Sequence, residues 1–484
     1  LKMRASKILY REFWGQAKRA DVVASLEPED ACIFSGYEVV APSPTNRYSL
    51  RPAGTRTAYE TWPDLPAIAA VPAITGLKEN RGFVMIQPSK DDVSRDMRAY
   101  FDRGISFEEL KLTQHKLTLD AARFDAKKAR EKALEQADFQ ERRLRRYVLR
   151  PFELQWCYWS EIRPLWNEPR PSLVQHYHPG NAFLVSRPNP VTEPEGYATI
   201  MVSSLADFHL MRGQAHHFPV NLHEAATSEF VTPNSLLQAD ANWASSPNLS
   251  TQARHWLNEI GLDTSPETSR LVWHHALAIT YSPAYLTENA AGIRQGWPRI
   301  PLPGDADLLR ASAALGERLA ALLDPEANVP GLSQGLLASI AIPSTAPGTT
   351  RDWRLNGWGS RTDKGVTMPG RGKTDLRPYA ATEAAAQEQA ALLGAQTRDV
   401  WMNGASFWKN IPEAVWETHI GGYQVLKKWL SYRDHSIIAR PLTQDEVAHI
   451  QATARRLAAI LLMGPELDAN YRASAEAHVP LPVT

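Results

Sequence analysis

The sequence is poor in cysteine, in long apolar runs and in any excess of one charge. Its two cysteines, Cys32 and Cys157, stand far apart. They exclude a disulfide framework and a cysteine-rich zinc site, and they suit a reducing cytoplasm. Lys plus Arg and Asp plus Glu balance at 53 each, so affinity for nucleic acid has to come from local clusters of cations and not from a basic whole. The longest apolar run, Leu457 to Met463, is far too short to span a bilayer, and no membrane is expected as a partner. Near the N-terminus Lys2, Arg4 and Lys7 lead to Glu12 instead of an apolar stretch, which is not the pattern of a signal peptide. The first residue is Leu1, which suggests a piece of a longer polypeptide.

Complete catalytic motifs are missing as well. A base-amine methyltransferase uses an Asn/Asp/Ser-Pro-Pro-aromatic loop to hold the flipped base against the methyl donor. Here Ser282-Pro-Ala-Tyr285 lacks the second proline and follows a helical run, and a glycine-rich donor turn after a strand is not found. Met368-Pro-Gly-Arg-Gly-Lys-Thr374 ends like a P-loop, but the first glycine position is Thr367, so a basic loop carrying Arg371 and Lys373 is the better reading. Asp64 with Glu109 and Lys111 has poor nuclease spacing, because two residues two apart on a helix do not face one site. His176, His178, His216, His217 and His223 invite a metal, yet they lack a partnered carboxylate pattern, and His274 and His275 read as packing residues. No catalytic residue, metal ligand or cofactor is assigned to this chain.

At 484 residues and 43% hydrophobic the chain can bury a sizeable core in two or three units. An α+β fold is expected. Residues 1–90 form a mixed strand and loop segment, 91–148 a charged helical spacer opened by the capping box Ser106 to Glu109, and 149–484 a larger, helix-rich mixed domain. Strand-like runs fall at Phe83 to Ile86, Phe152 to Trp159, Asn181 to Ser186 and Thr199 to Ser203. Leu308, Ala311, Leu315, Leu319 and Leu322 share one helical face, as do Val447, Ile450, Ala454, Leu457 and Leu461 behind a capping box at Thr443 and Glu446. Long loops are expected over 325–381.

The positive signals are those of DNA contact. Arg142, Arg143, Arg145, Arg146 and Arg150 crowd what reads as a helix end, and the chain then enters Trp156, Tyr158, Trp159 and Trp166 with Arg163, Asn167 and Arg170. Arginine and asparagine carry the paired donors and acceptors that read guanine and adenine edges. For the tryptophans, filling a core outweighs contact; for the arginines, contact and structure weigh about equally. Later, a helix after Gly421-Gly422 would pack Val425, Trp429 and Tyr432 while Lys427, Lys428 and Arg433 face phosphate, although a wet basic face explains the same pattern.

The cassette Val415-Trp-Glu-Thr-His-Ile-Gly-Gly-Tyr-Gln-Val-Leu-Lys-Lys-Trp-Leu-Ser-Tyr-Arg-Asp434 shifts that balance. With Arg150-Pro-Phe152, Arg163-Pro-Leu-Trp-Asn-Glu-Pro-Arg170, Tyr281-Ser-Pro-Ala-Tyr285 and Trp297-Pro-Arg-Ile-Pro-Leu-Pro303, it resembles the C-terminal region of type ISP restriction-modification enzymes. Tyr10-Arg-Glu-Phe-Trp-Gly15, Tyr59 to Pro63 and Gly76 to Arg81 resemble the segment that trails the methyltransferase in those enzymes. The resemblance implies a double-stranded DNA target-recognition module acting in phage defence. The partners it implies are the methyltransferase and helicase-nuclease portions of the same or a companion chain. S-adenosylmethionine, ATP and magnesium are implied for the complete enzyme. The alternative is a DNA adenine methyltransferase portion whose donor and catalytic site is completed by another segment or chain.

Overall fold

Helices form where apolar residues recur at three- and four-residue spacing and an oxygen-bearing side chain closes the first turn. The computed structural model of the chain describes residues 7–11, 18–25, 37–40, Leu50, 57–121, 124–225, 243–345, 374–379, 389–403, 406–438 and 440–482. Helix Gln444–Leu462 carries the expected capping box and buries Val447, Ile450, Ala454 and Leu457, while Leu461 is half-buried. Asp305 caps helix Ala306–Leu323 by accepting from Leu308 N. Its buried stripe includes Leu309, Ser312 and Ala313 as well as Leu315, Leu319 and Leu322, so of the expected face Leu308 is only half-buried and Ala311 is exposed. The neighbour sets that rotation. Helix Pro266–Thr280 approaches so closely that a Cβ on Gly316 would lie 1.9 Å from the His274 carbonyl oxygen.

Among the described residues three four-stranded sheets carry most of the β structure, beside three two-stranded pairs. In the first, Ile86–Gln87, Glu153–Tyr158, Leu144–Arg150 and Leu205–Ala206 lie in that order, the last pair parallel. The second orders Ile74–Thr75, His216–Pro219, Phe183–Ser186 and Thr199–Val202, all antiparallel. The third is Ile342–Thr345, Ser406–Pro412, Thr397–Trp401 and Thr374–Arg377. Helices pack on these sheets around one continuous apolar core that runs from Tyr59 to Tyr471 and encloses Trp159, Trp166, Trp256, Trp273 and Trp408. The fold is α+β.

Several local expectations change. Of the arginines after Glu141, only Arg142 and Arg143 end a helix, the single 3-10 turn Glu141–Arg143; helix Ala126–Gln136 stops at Ala137, and Arg145, Arg146 and Arg150 lie on strand Leu144–Arg150. Leu144 and the run Tyr147, Val148 and Leu149 favour that outcome, because they are buried against Glu153–Tyr158. The spacer is not one arm. Helices Lys90–Phe101, Phe107–Leu112 and Ala126–Gln136 fold back, with Val93, Met97, Tyr100 and Phe101 in the common core. The expected boundary near 148 falls inside strand Leu144–Arg150. Within the expected loop region, strands Ile342–Thr345 and Thr374–Arg377 close the edges of the third sheet; residues 346–373, with Arg371 and Lys373, lie outside the described residues, as do Cys32 and most of the Tyr10 to Gly15 motif.

Two near-miss motifs are structural. Ser282 caps helix Pro283–Glu288 and donates to Asp468 Oδ1 at 2.6 Å. Asp64 caps Leu65–Ile68, and Glu109 closes the capping box on Ser106.

His275 lies wholly inside, with Nδ1 2.7 Å from Ser312 Oγ and Nε2 3.0 Å from the Pro301 carbonyl oxygen. Burial pulls its pKa down from 6.5 to about 4. The unfolded chain therefore takes up this proton before the folded one does, and the stability held above pH 6.5 is lost as pH falls through about 4. Relative to His275→Gln, the native chain should lose about 3 kcal/mol over that window in denaturant titrations; a pH-independent difference would refute the linkage. Gly316→Ala should destabilise by about 1 to 3 kcal/mol through overpacking, reversing the gain of roughly 1 kcal/mol that alanine brings to an open helix. Urea unfolding of the two proteins checks the sign.

Candidate nucleic-acid interface

A two-glycine turn organises the aromatic and basic cassette. Strands His419–Ile420 and Tyr423–Gln424 pair across Gly421 and Gly422, whose φ values of 55° and 80° suit the tight primed turns that glycine favours. The hairpin is locked from outside. Gly421 N donates to Tyr197 O at 2.9 Å, Gly422 N to Glu195 O at 2.8 Å, and Arg212 N to Gly421 O at 2.8 Å. Helix Val425–Ser431 follows and buries Val425, Leu426, Trp429 and Leu430.

The helix faces a basic and aromatic cluster. Lys428 Nζ lies 5.4 Å from the Tyr423 ring centre and 4.7 Å from that of Tyr432, and the Arg150 guanidinium lies 5.5 Å from Tyr423 on its own approach. Burial, and then the charges of Arg150 and Arg212, hold Lys428 below the ordinary lysine pKa. Arg150 itself is braced: it donates to Asp207 Oδ1 at 2.7 Å, and although burial opposes its charge, Asp207 with Tyr432 and Tyr423 keeps its pKa above the usual value. Lys427 is half-buried on the same helix, and Arg212 is exposed.

Arg433 departs from its expected wet face. It is buried, donates to the fully buried Glu153, lies 3.5 Å from Glu446 and sits 4.0 Å over the Trp429 ring. Arg146 is a brace too, paired with Glu326 at 2.5 Å and placed 4.8 Å over Trp156. Arg145 lines a cavity of about 580 Å³ with Tyr177, His178, Arg270 and Asp324.

The loop Arg163 to Arg170 stands on a buried platform. Leu165 and Trp166 point inward, and Trp166 Nε1 donates to Tyr158 O at 3.0 Å. Arg163 is exposed, Asn167 half-buried, and Arg170 half-buried in an ion pair with Glu168. Burial, then the nearby Arg163 charge, lowers the Arg170 pKa. This loop continues into its neighbours: Lys78 N donates to Glu168 O at 3.0 Å, Lys78 Nζ lies 5.0 Å from the Phe208 ring, and His209 N donates to Asp207 Oδ1 at 2.8 Å. Through Asp207 the surface reaches Arg150, Tyr423 and Lys428.

Lys78, Phe208, His209 and Arg212 were not singled out by sequence. The one local signal was Arg212-Gly213, a cation beside a residue with φ of 102°. The histidines divide as well. His176, His178 and His223 meet, with His178 and His223 rings stacked at 4.5 Å, whereas His216 and His217 lie on strand His216–Pro219. Among the described residues no group of three or more His, Cys, Asp or Glu is arranged to hold a metal ion, and no helix is long and apolar enough to cross a membrane.

Cationic and aromatic side chains thus share one braced surface of an α+β chain. Its family is specific: the profile of the type ISP C-terminal specificity domain matches residues 73–458, and the chain belongs to that family. No curated protein sequence matches it significantly. The fold is similar to that in a nuclease-deletion mutant of the type ISP restriction-modification enzyme LlaGI in complex with a DNA substrate mimic. The match has 15% identity and a TM-score of 0.53, covering 93% of this chain and 31% of that one. ATP-dependent type ISP enzyme LlaBIII, bound to DNA, gives 13% identity and a TM-score of 0.55 over 94% of this chain and 27% of that one. For DrdV in its DNA complex the values are 14%, 0.53, 90% and 40%. This chain thus spans well under half the length of each.

Arg433 and Glu153 offer a test of bracing. Arg433→Ala should cost about 3 to 5 kcal/mol in denaturant unfolding, since it strands a buried carboxylate, while Glu153→Leu with Arg433→Met should recover most of the loss. A cost below about 0.5 kcal/mol, the usual range for surface changes, would show that the pair does not brace the fold.

Proposed function

We propose that this chain is the double-stranded DNA target-recognition module of a type ISP restriction-modification enzyme. The observation that carries this reading is the specificity-domain match over residues 73–458. DNA docks along the surface that runs from Arg163 and Arg170 past Lys78 and Phe208 to Arg212 and Lys428. Methyltransferase and helicase-nuclease portions of the same or a companion chain receive the positioned duplex, and S-adenosylmethionine, ATP and magnesium act there. The solved relatives support the DNA reading by what they hold: LlaGI a DNA substrate mimic, LlaBIII and DrdV DNA. A self-standing methyltransferase portion gains nothing from Ser282, whose side chain is spent on a helix cap and on Asp468.

The surface divides by role: Arg163 and Asn167 read base edges, Lys427, Lys428 and Arg212 contact phosphate, and Arg146, Arg150 and Arg433, each ion-paired to a carboxylate, hold the platform. Arg371 and Lys373 keep the phosphate role expected from their basic loop.

Selection of bound duplexes from a random pool, using the full chain, should enrich one short asymmetric site. Failure to prefer any sequence over scrambled duplex would sink the reading, and methyl transfer by the pure chain would favour the alternative. On the selected site Arg163→Ala should cost about 1 to 3 kcal/mol while nearly sparing scrambled DNA. Lys427→Ala with Lys428→Ala should weaken all duplexes alike and flatten the salt dependence by up to about two phosphate contacts. An unchanged slope would remove both lysines from the interface.

A further inference from the structure

Between strands Ile74–Thr75 and Ile86–Gln87 the backbone turns around a buried carboxylate. Glu79 is only 4% exposed. Its Oε2 accepts from Phe83 N at 2.8 Å and its Oε1 from Met85 N at 2.9 Å. Wrapping the chain on one side chain places Asn80, Gly82 and Phe83 at φ of 57°, 78° and 59°. Asparagine and glycine accept that left-handed backbone readily; phenylalanine does so under strain. Such strain persists only where the surroundings over-determine it, and it gathers at functional positions.

The strain leaves an aromatic ring outside. Phe83 is 49% exposed, while the next residues, Val84 and Met85, are buried. The tip is also fastened to the loop that carries Arg163. Arg81 Nε donates to Pro164 O at 2.8 Å, Asn167 N to Glu79 O at 3.3 Å, and the Arg81 guanidinium lies 4.5 Å over Phe124. A rigid apolar tip is therefore tied through its backbone and Arg81 to the loop that carries the exposed Arg163.

We propose that Phe83 is a positioning wedge, whose ring inserts against one base step of the duplex docked on the Arg163 to Arg170 loop. This inference rests on the reading of the chain as a DNA target-recognition module. Inserted apolar side chains partly unstack a step and bend the duplex, and aromatic rings gain by stacking on a base face. The buried Glu79 carboxylate supplies the stiffness: a mobile loop would fold its ring back onto protein instead of opening a stacked step. Nearby cations offset phosphate repulsion as the duplex bends around the tip.

The test uses the full chain and its selected duplex, with 2-aminopurine placed at each position in turn to report unstacking by fluorescence. Phe83→Asn removes the ring yet accepts the left-handed backbone, and Phe83→Trp keeps a ring; unfolding curves confirm that both variants fold. The native chain should raise fluorescence at one step. Phe83→Asn should abolish that rise and weaken binding about five- to a hundredfold, with Phe83→Trp retaining it. A duplex bound site-specifically without any such rise, or a rise that survives Phe83→Asn, overturns the wedge and leaves the recognition reading standing. In that case the ring belongs to the cavity it lines with Tyr432 and Ile437. Absence of site-specific binding by the native chain would instead overturn the recognition reading, and the wedge with it.

Discussion

One buried carboxylate, Asp207, ties the proposed recognition surface to the fold. Its Oδ2 accepts from Tyr147 Oη at 2.8 Å, its Oδ1 from Arg150 at 2.7 Å and from His209 N at 2.8 Å, and its backbone N donates to Val148 O. A buried charge is costly unless its acceptor sites are filled, so these partners are held together. The consequence reaches two sheets. Leu77 N donates to Ala206 O and Gly76 N to Ala215 O, with the chain so close that a Cβ on Gly76 would meet Asp207 O at 2.6 Å.

The same logic separates the cations. Glu153, Asp207 and Glu326 each take one of the arginines that local sequence offers to DNA, and those arginines hold strands and helices together. Arg163 and Arg212 stand exposed beside them. Phosphate contact needs a cation that water can reach before DNA displaces it, whereas bracing needs one already paired. A face can thus be basic in composition and still owe its accessible charge to a few side chains on its edge.

Aromatic rings supply the apolar side of this arrangement. Trp159 and Trp166 are fully buried and donate their indole N–H groups to Pro169 O and Tyr158 O, which satisfies a polar atom that burial would otherwise leave costly. They anchor the middle and the Arg170 end of the Arg163 to Arg170 loop. The preference for core over contact at these tryptophans was legible from their size and from the apolar strand they adjoin. The fate of the neighbouring arginines was not, because Glu153 and Arg433 lie far apart along the chain.

Local pattern alone determined the capped helices, as at Thr443 and Glu446, the cores of strands Glu153–Tyr158 and Thr199–Val202, and, through short aromatic and proline motifs, the type ISP family. These rest on contacts within a few residues, where spacing and side-chain chemistry are enough. Tertiary structure decided that the residues after Arg143 form a strand, that Arg433 is buried, and that Gly76 to Arg81, Phe208 and the Arg163 loop share one surface. Those outcomes depend on which distant carboxylate or carbonyl is left to be satisfied once the core closes, and periodicity carries no record of that partner.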